Sequence, residues 1–252
     1  MDSVAEALSK TISDSLKRNE DRLTIGVYRP SLLPACLRRQ FLAYRRGFPP
    51  PGEEKAGVFK IGELFHGFLS ETLRRSEPRI RVKGSESGFS ILLPVPDSEC
   101  KDFIQIVGRA DLIVKLGGGD GNGDGGGEHT YIIEAKSIKR LPEAPLRHHV
   151  WQLQLYLAGH RLSRGFLVYL EKQALRHRIF AVDFDREAFR RLLERALILH
   201  KALVEDKPPK PDPEAWECRF CEFLGECYYG KGKEGEGREP EGEGEVSEGK
   251  GS

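Results

Sequence analysis

The run Tyr131-Ile-Ile-Glu-Ala-Lys-Ser137 places a carboxylate, Glu134, and an ammonium, Lys136, two residues apart in an otherwise apolar segment. Side chains alternate across a strand, so Glu134 and Lys136 project to one face while Ile133 and Ala135 project to the other. Upstream, Gly108-Arg-Ala-Asp111 precedes the apolar LIVKL and supplies a second carboxylate. If the two segments pair as neighbouring strands, Asp111 and Glu134 converge. Two partly desolvated carboxylates repel unless protonated or bridged by a cation. Oxygen ligands, with an imidazole such as His66 added, suit Mg²⁺ or Mn²⁺ better than a closed zinc site. Such an ion lowers the pKa of a bound water and polarises a phosphoryl oxygen, and Lys136 would stabilise the developing charge. Gln152 and Tyr156, four apart, share a helix face and could orient Lys136, a water or a phosphate. Each of these alone has a blander meaning: a surface E-x-K, a satisfied core histidine, a half-buried amphipathic helix. Their combination is what points to a site.

A second set of residues is thiolic. Cys218-Arg-Phe-Cys221-Glu-Phe-Leu-Gly-Glu-Cys227 is a C-x2-C-x5-C cluster, and Cys36 sits in a basic segment near the other end. Four thiolates could close a tetrahedral metal site or hold an iron–sulfur cluster, and spacing does not choose between zinc and iron–sulfur. A site using Cys36 would tie the two ends of the chain together as a small accessory lobe. Cys100, isolated in PDSECKDF, reads as an ordinary thiol.

The elements that must position these residues follow from periodicity. Val4, Leu8, Ile12 and Leu16 recur at helical spacing within a charged segment running to about Arg22. Pro34 to Arg46 is short, basic and helical in pattern, and Pro49-Pro50-Pro51 ends it. A helix beginning near Lys60 carries Ile61, Leu64, Phe65, Phe68, Leu69 and Leu73 on its apolar side, with His66 among them. From about Ile80 the period becomes that of strands, in RIRVKGSESGFSILLPV, DFIQIVGRADLIVKL and YIIEAKS. A helix through HHVWQLQLYLAGHRL, strands in RGFLVYLEK and HRIFAVDFD, and a long helix from Arg186 to about Glu205 follow. This alternation predicts a mixed α/β domain. The glycine-rich Gly117–His129 reads as a flexible hairpin excursion, a poor phosphate cradle because no Lys-Ser or Lys-Thr follows it.

The 252 residues, 38% of them hydrophobic, are enough for one substantial core. No apolar run is long enough to cross a bilayer and the N-terminus has no signal-peptide centre, which predicts a cytoplasmic protein without a membrane partner. The net charge of +1 conceals an acidic ending, since Gly230–Ser252 is rich in Gly and Glu and reads as a disordered tail. Five cysteines in such a chain favour metal chemistry over disulfides. Arg38, Arg39, Arg45 and Arg46 form either a basic approach for a nucleic-acid backbone or a solvated helix face.

The order Cys36, His66, Gly108-Arg-Ala-Asp111, Glu134-Ala-Lys136, Gln152-x-x-x-Tyr156 and the terminal cysteine triplet resembles the RecB-like branch of the PD-(D/E)xK nucleases, specifically the CRISPR-associated iron–sulfur exonucleases. The resemblance covers about Tyr28 to Tyr229, and rests on the order of the motifs together with the split cysteines. It implies a restriction-endonuclease-like α/β fold, a mixed sheet flanked by helices with a small cysteine-rich iron–sulfur lobe. The divisions it implies are an N-terminal helix over 1–27, the nuclease domain with its lobe over 28–229, and the tail over 230–252. It implies a metal-dependent exonuclease acting mainly on single-stranded DNA and preparing fragments for CRISPR spacer acquisition beside the integration proteins. A repair or recombination exonuclease, or a non-catalytic iron–sulfur DNA-binding adaptor, is the alternative; an oligomer is compatible with each. Carried over by residue, His66, Asp111, Glu134 and the Ala135 carbonyl would hold Mg²⁺ or Mn²⁺, Lys136 would complete the active site, and Gln152 and Tyr156 would position DNA. Cys36, Cys218, Cys221 and Cys227 would hold an iron–sulfur cluster, usually [4Fe–4S]. Ala110 stands where the family often has proline, and the glycine excursion and acidic tail lie outside its pattern.

Overall fold

The computed structural model describes residues 3–16, 22–96, 102–116 and 129–229. The glycine excursion short of His129, Cys100 and the Gly/Glu tail lie outside the described residues. Strands β1 (Val27–Tyr28), β2 (Ile80–Pro94), β3 (Phe103–Leu116), β4 (His129–Ile138), β5 (Arg164–Glu171) and β6 (His177–Asp183) form one mixed sheet in the order β1-β3-β4-β5-β6, with β2 also on β3. β1 with β3 and β4 with β5 are parallel, and the other pairs are antiparallel. The parallel step from β4 to β5 requires a crossover, which α4 (Arg147–His160) supplies.

Helices α2 (Leu37–Arg46), α4 and α5 (Arg186–Val204) contribute to the main core over one face, built on Ile132, Leu153, Leu155, Leu157, Leu167 and Leu199 among others. The other face carries a smaller cluster of Leu112, Val114, Ile133, Val168 and Leu170, covered by α3 (Glu53–Arg74) through Phe65, Leu69 and Leu73. Ile132 and Ile133 thus bury on opposite faces, as the period of two requires. Each fully buried Leu or Ile contributes roughly 1.5–3 kcal/mol of transfer free energy, so both faces are committed to cover.

Two expectations change. The helix carrying His66 begins at Glu53, not near Lys60: Gly52 precedes it, and Glu53 and Glu54 suit its positive N-terminal end. Half of its apolar stripe turns outward, since Leu64 and Phe68 are exposed, because only the Phe65, Leu69 and Leu73 row meets the sheet. In helix α4, Gln152 through Tyr156 are all buried, because it lies between the sheet and α5. Its buried Gln154 is satisfied at both ends, donating to the Asp183 carbonyl at 2.9 Å and accepting from the Asp185 N–H at 2.7 Å. The N-terminal helix α1 covers Ser3–Leu16, with Val4, Leu8 and Ile12 exposed. Among the described residues, no helix is long and apolar enough to cross a membrane.

Candidate active site

Strand β3 is shared along one edge. Its first half pairs with β1 at Gln105 and Ile106, and its last residues pair with β4 from Leu112↔Ile133 to Leu116↔His129. Continuing the second register by one step sets Asp111 against Glu134, and there the ladder ends. The opened strand pair turns a backbone N–H towards a side chain instead: Ala135 N–H donates to Asp111 Oδ2 at 2.8 Å. The freed Ala135 carbonyl lies 3.1 Å from His66 Nε2, and His66 Nδ1 lies 3.5 Å from Asp111 Oδ1. Helix α3 can deliver His66 to this point because Phe65 and Leu69 beside it are anchored on the opposite face.

On the main-core side, Lys136 Nζ donates to Glu134 Oε1 at 2.8 Å and to Gln152 Oε1 at 2.9 Å. Gln152 Nε2 donates in turn to the Tyr156 hydroxyl at 2.7 Å. Gln152 and Tyr156 therefore stand behind Lys136 and fix it, one helical turn supporting the next. Burial is the largest influence on both acids and pushes the Asp111 and Glu134 carboxyls up, against the opposing pull of Lys136. Burial likewise raises the Tyr156 hydroxyl.

This donor set fits a divalent cation. Glu134 is 2% exposed and its Oε2 has no hydrogen-bond partner, an arrangement that is costly for a carboxylate unless a cation takes the free oxygen. Asp111, Glu134, His66 and the Ala135 carbonyl offer the oxygen-rich, single-imidazole chemistry of Mg²⁺ and Mn²⁺. One more acid, which the sequence reading missed, is drawn in: His66, Glu86 and Asp111 each present a ligand atom within 4.8 Å of the other two. Glu86 lies in the β2 stretch KGSESGF, where nothing but its position across from Asp111 marks it, and that becomes visible only with the register Ser85↔Leu112 and Ser87↔Ala110.

The four cysteines meet elsewhere. Cys36, Cys218, Cys221 and Cys227 line one cavity of about 140 Å³, together with Leu42, Phe223 and Leu224. A 3-10 turn (Glu217–Phe220) carries Cys218, Cys221 caps its end, and α6 (Leu224–Tyr229) carries Cys227. The return of the C-terminal segment to α2 is fixed by bonds spanning most of the chain. Cys36 N–H donates to Glu217 Oε1 at 3.1 Å, and Leu37 N–H donates to Asp212 Oδ1 at 2.7 Å, satisfying two N–H groups at the start of α2. Arg38 donates to the Pro209 carbonyl, Arg39 grips Glu222 with two hydrogen bonds, Arg45 bonds the Leu203 carbonyl and Arg46 pairs with Glu226. All four arginines thus bind the chain's C-terminal return, with Arg45 and Arg46 remaining exposed. Burial raises the Cys36 and Cys221 thiols, an effect that coordination to a cation reverses. Four thiols lining one cavity could hold a single metal ion or an iron–sulfur cluster.

The PD-(D/E)XK nuclease superfamily matches residues 67–228, a span that includes Asp111, Glu134, Lys136, Gln152, Tyr156 and the cysteine triplet. The CRISPR-associated exonuclease Cas4 of Saccharolobus solfataricus is 28% identical over 123 residues, 49% of this chain and 52% of that protein. The chain spans about half the length of this curated relative. Among solved structures, the crystal structure of SSO0001 shares the fold at a TM-score of 0.56, with 19% identity over 88% of this chain and 95% of that one. An alkaline exonuclease from Laribacter hongkongensis matches at a TM-score of 0.37 and 12% identity over 72% of this chain and 90% of that one, a likeness too loose to bear on fold.

Proposed function

Because the chain belongs to the PD-(D/E)XK nuclease superfamily, we propose that it is a metal-dependent DNA exonuclease acting mainly on single strands. The observation that carries this reading is the buried, partnerless Glu134 Oε2 beside Asp111, with Lys136 held on the same carboxylate. Asp111, Glu134, His66 and the Ala135 carbonyl would hold a Mg²⁺ or Mn²⁺ ion. That ion supplies Lewis-acid polarisation of the scissile phosphate and a lowered pKa for the attacking water. Lys136 presents its ammonium to the charge that grows on the phosphate, and does so without reorganising, because Gln152 and Tyr156 already fix it. The apolar faces behind Glu134 and Ala135 keep water from screening these interactions.

Cys36, Cys218, Cys221 and Cys227 hold an iron–sulfur cluster, of the [4Fe–4S] kind, that fastens the C-terminal return to α2. The likeness to a CRISPR-associated exonuclease supports a cellular role in trimming DNA for spacer acquisition, with the integration proteins as partners, in the cytoplasm.

The test is hydrolysis of end-labelled single-stranded DNA in Mn²⁺ or Mg²⁺ by the full chain, with Glu134→Ala and Lys136→Ala alongside. Full activity in either variant would refute the site. For the cluster, anaerobically purified protein should show broad visible absorption that Cys221→Ala removes; colourless protein carrying stoichiometric zinc would overturn the iron–sulfur reading.

A further inference from the structure

We propose that Glu86 is a ligand of the divalent ion, joining His66 and Asp111 from the solvent side of the site. The inference rests on the metal-dependent reading above and adds a residue to it. Glu86 occupies the β2 position between Ser85 and Ser87, whose partners are Leu112 and Ala110, so it faces Asp111 directly across the strand pair. Like charges directly opposite on a sheet destabilise it. The same residue has φ of +52°, a left-handed conformation that a non-glycine side chain enters only at a cost of order 1 kcal/mol or more. Two unfavourable features at one residue call for a compensating interaction.

Arg109 does not compensate enough. Its Nε lies 3.6 Å from Glu86 Oε2, and both side chains are mostly exposed, a setting in which an ion pair contributes little. A cation between the carboxylates does, because it turns repulsion into shared coordination. Glu86, His66 and Asp111 bring their ligand atoms within 4.8 Å of one another. Independently, the buried Glu134 Oε2 lacks a hydrogen-bond partner, while Glu134 lies across the end of the ladder from Asp111. The ion site thus has a buried wall, Glu134, and an open wall, Glu86. Glu86 is the solvent-exposed carboxylate of the set, and Glu134 the buried one.

The probe is Mn²⁺ alone, titrated calorimetrically and by electron paramagnetic resonance into the chelator-stripped full chain. Glu86→Gln should weaken Mn²⁺ binding by at least about tenfold, on the scale of other losses around metal sites, and change the bound spectrum. The same substitution should leave the melting temperature of the metal-free protein unchanged or raised, since it removes a cross-strand repulsion. Glu86→His, which restores a ligand, should recover part of the affinity. Arg109→Gln should leave Mn²⁺ affinity within about twofold, as expected for a group outside the coordination sphere. If Glu86→Gln bound Mn²⁺ with wild-type affinity and spectrum, the assignment of Glu86 would fall alone. If the wild-type chain bound no Mn²⁺, the metal-dependent reading would fall with it.

Discussion

His66, Asp111 and Glu134 come from one helix and two paired strands, and direct hydrogen bonds already join their surroundings: Ala135 to Asp111, Lys136 to Glu134, Lys136 to Gln152. Cys36 and the terminal cysteines come from segments some 180 residues apart, and what brings them together lies around the sulfurs, in the caps from Asp212 and Glu217 and the pairs of Arg39, Arg46 and Lys55 with Glu222 and Glu226. The acidic site is a rigid frame that concentrates charge and needs an ion to do chemistry. The cysteine cavity is the seam between chain ends, and several of the ion pairs beside it are exposed enough to contribute little on their own. Losing a ligand should therefore silence the first region without loosening it, and loosen the second without silencing the first.

The largest effect expected is at the frame. Glu134→Gln should lower hydrolysis by about 10³-fold, the scale on which a pre-organised charge-stabilising group counts. Its visible absorption and melting temperature should stay close to those of the wild type. A melting temperature several degrees lower would show that Glu134 holds the sheet, and would erase the contrast. The converse is Cys221→Ala. It should abolish the visible absorption, lower the melting temperature by several degrees and expose Lys207–Cys227 to protease, while Mn²⁺ affinity at Asp111 stays within about twofold, as for well-separated sites. Equal loss of both properties would mean that the seam supports the frame.

Smaller effects distinguish residues inside the frame. Gln152→Ala frees Lys136 without touching Asp111 or His66, so turnover should fall by roughly 10–100-fold, on the scale seen for supporting contacts at metal sites. Mn²⁺ affinity should be unaffected. Tyr156→Phe keeps the ring and deletes only the acceptor for Gln152, and a few-fold loss is expected, in kcat more than in KM. If Tyr156→Phe cost as much as Gln152→Ala, the hydroxyl would have a role of its own on DNA.

The two regions were unequally legible in the sequence. Period-two patterning made β3 and β4 readable, and with them the shared face of Glu134 and Lys136, because that spacing is a property of every strand. Pairing register is not local: the convergence of Asp111 with Glu134 could be stated only as a condition, and Glu86, opposite Asp111 on the other neighbour, carried no signal in KGSESGF. The shared face of Gln152 and Tyr156 was readable from their spacing of four, but the burial of Gln152 and Gln154 depends on the packing of α4 between the sheet and α5. The contacts of Arg38, Arg39, Arg45 and Arg46 were not legible because their partners lie about 160–180 residues away. The cysteine spacing was plain, but that Cys36 joins the cluster came from the order of motifs, since no spacing rule reaches across most of a chain.

The smallest effect tests how tightly the frame is packed from behind. Gly159 lies near the end of α4, and a Cβ there would come within 2.2 Å of the Phe89 ring, which stands edge-on to Tyr156 at 5.6 Å between centroids. Helix propensity alone predicts that Gly159→Ala stabilises by about 1 kcal/mol. The contact opposes this: Phe89 is buried and braced by Tyr156 and His160, so it cannot swing aside without displacing them. Overpacking of this kind costs roughly 1–3 kcal/mol, and sterics should win. The melting temperature should fall by roughly 2–4 °C per kcal/mol, with a modest loss of activity transmitted through Tyr156 and Gln152 to Lys136. A variant that melts higher than the wild type would show that Phe89 yields freely, and that the frame behind Lys136 is softer than its hydrogen bonds suggest.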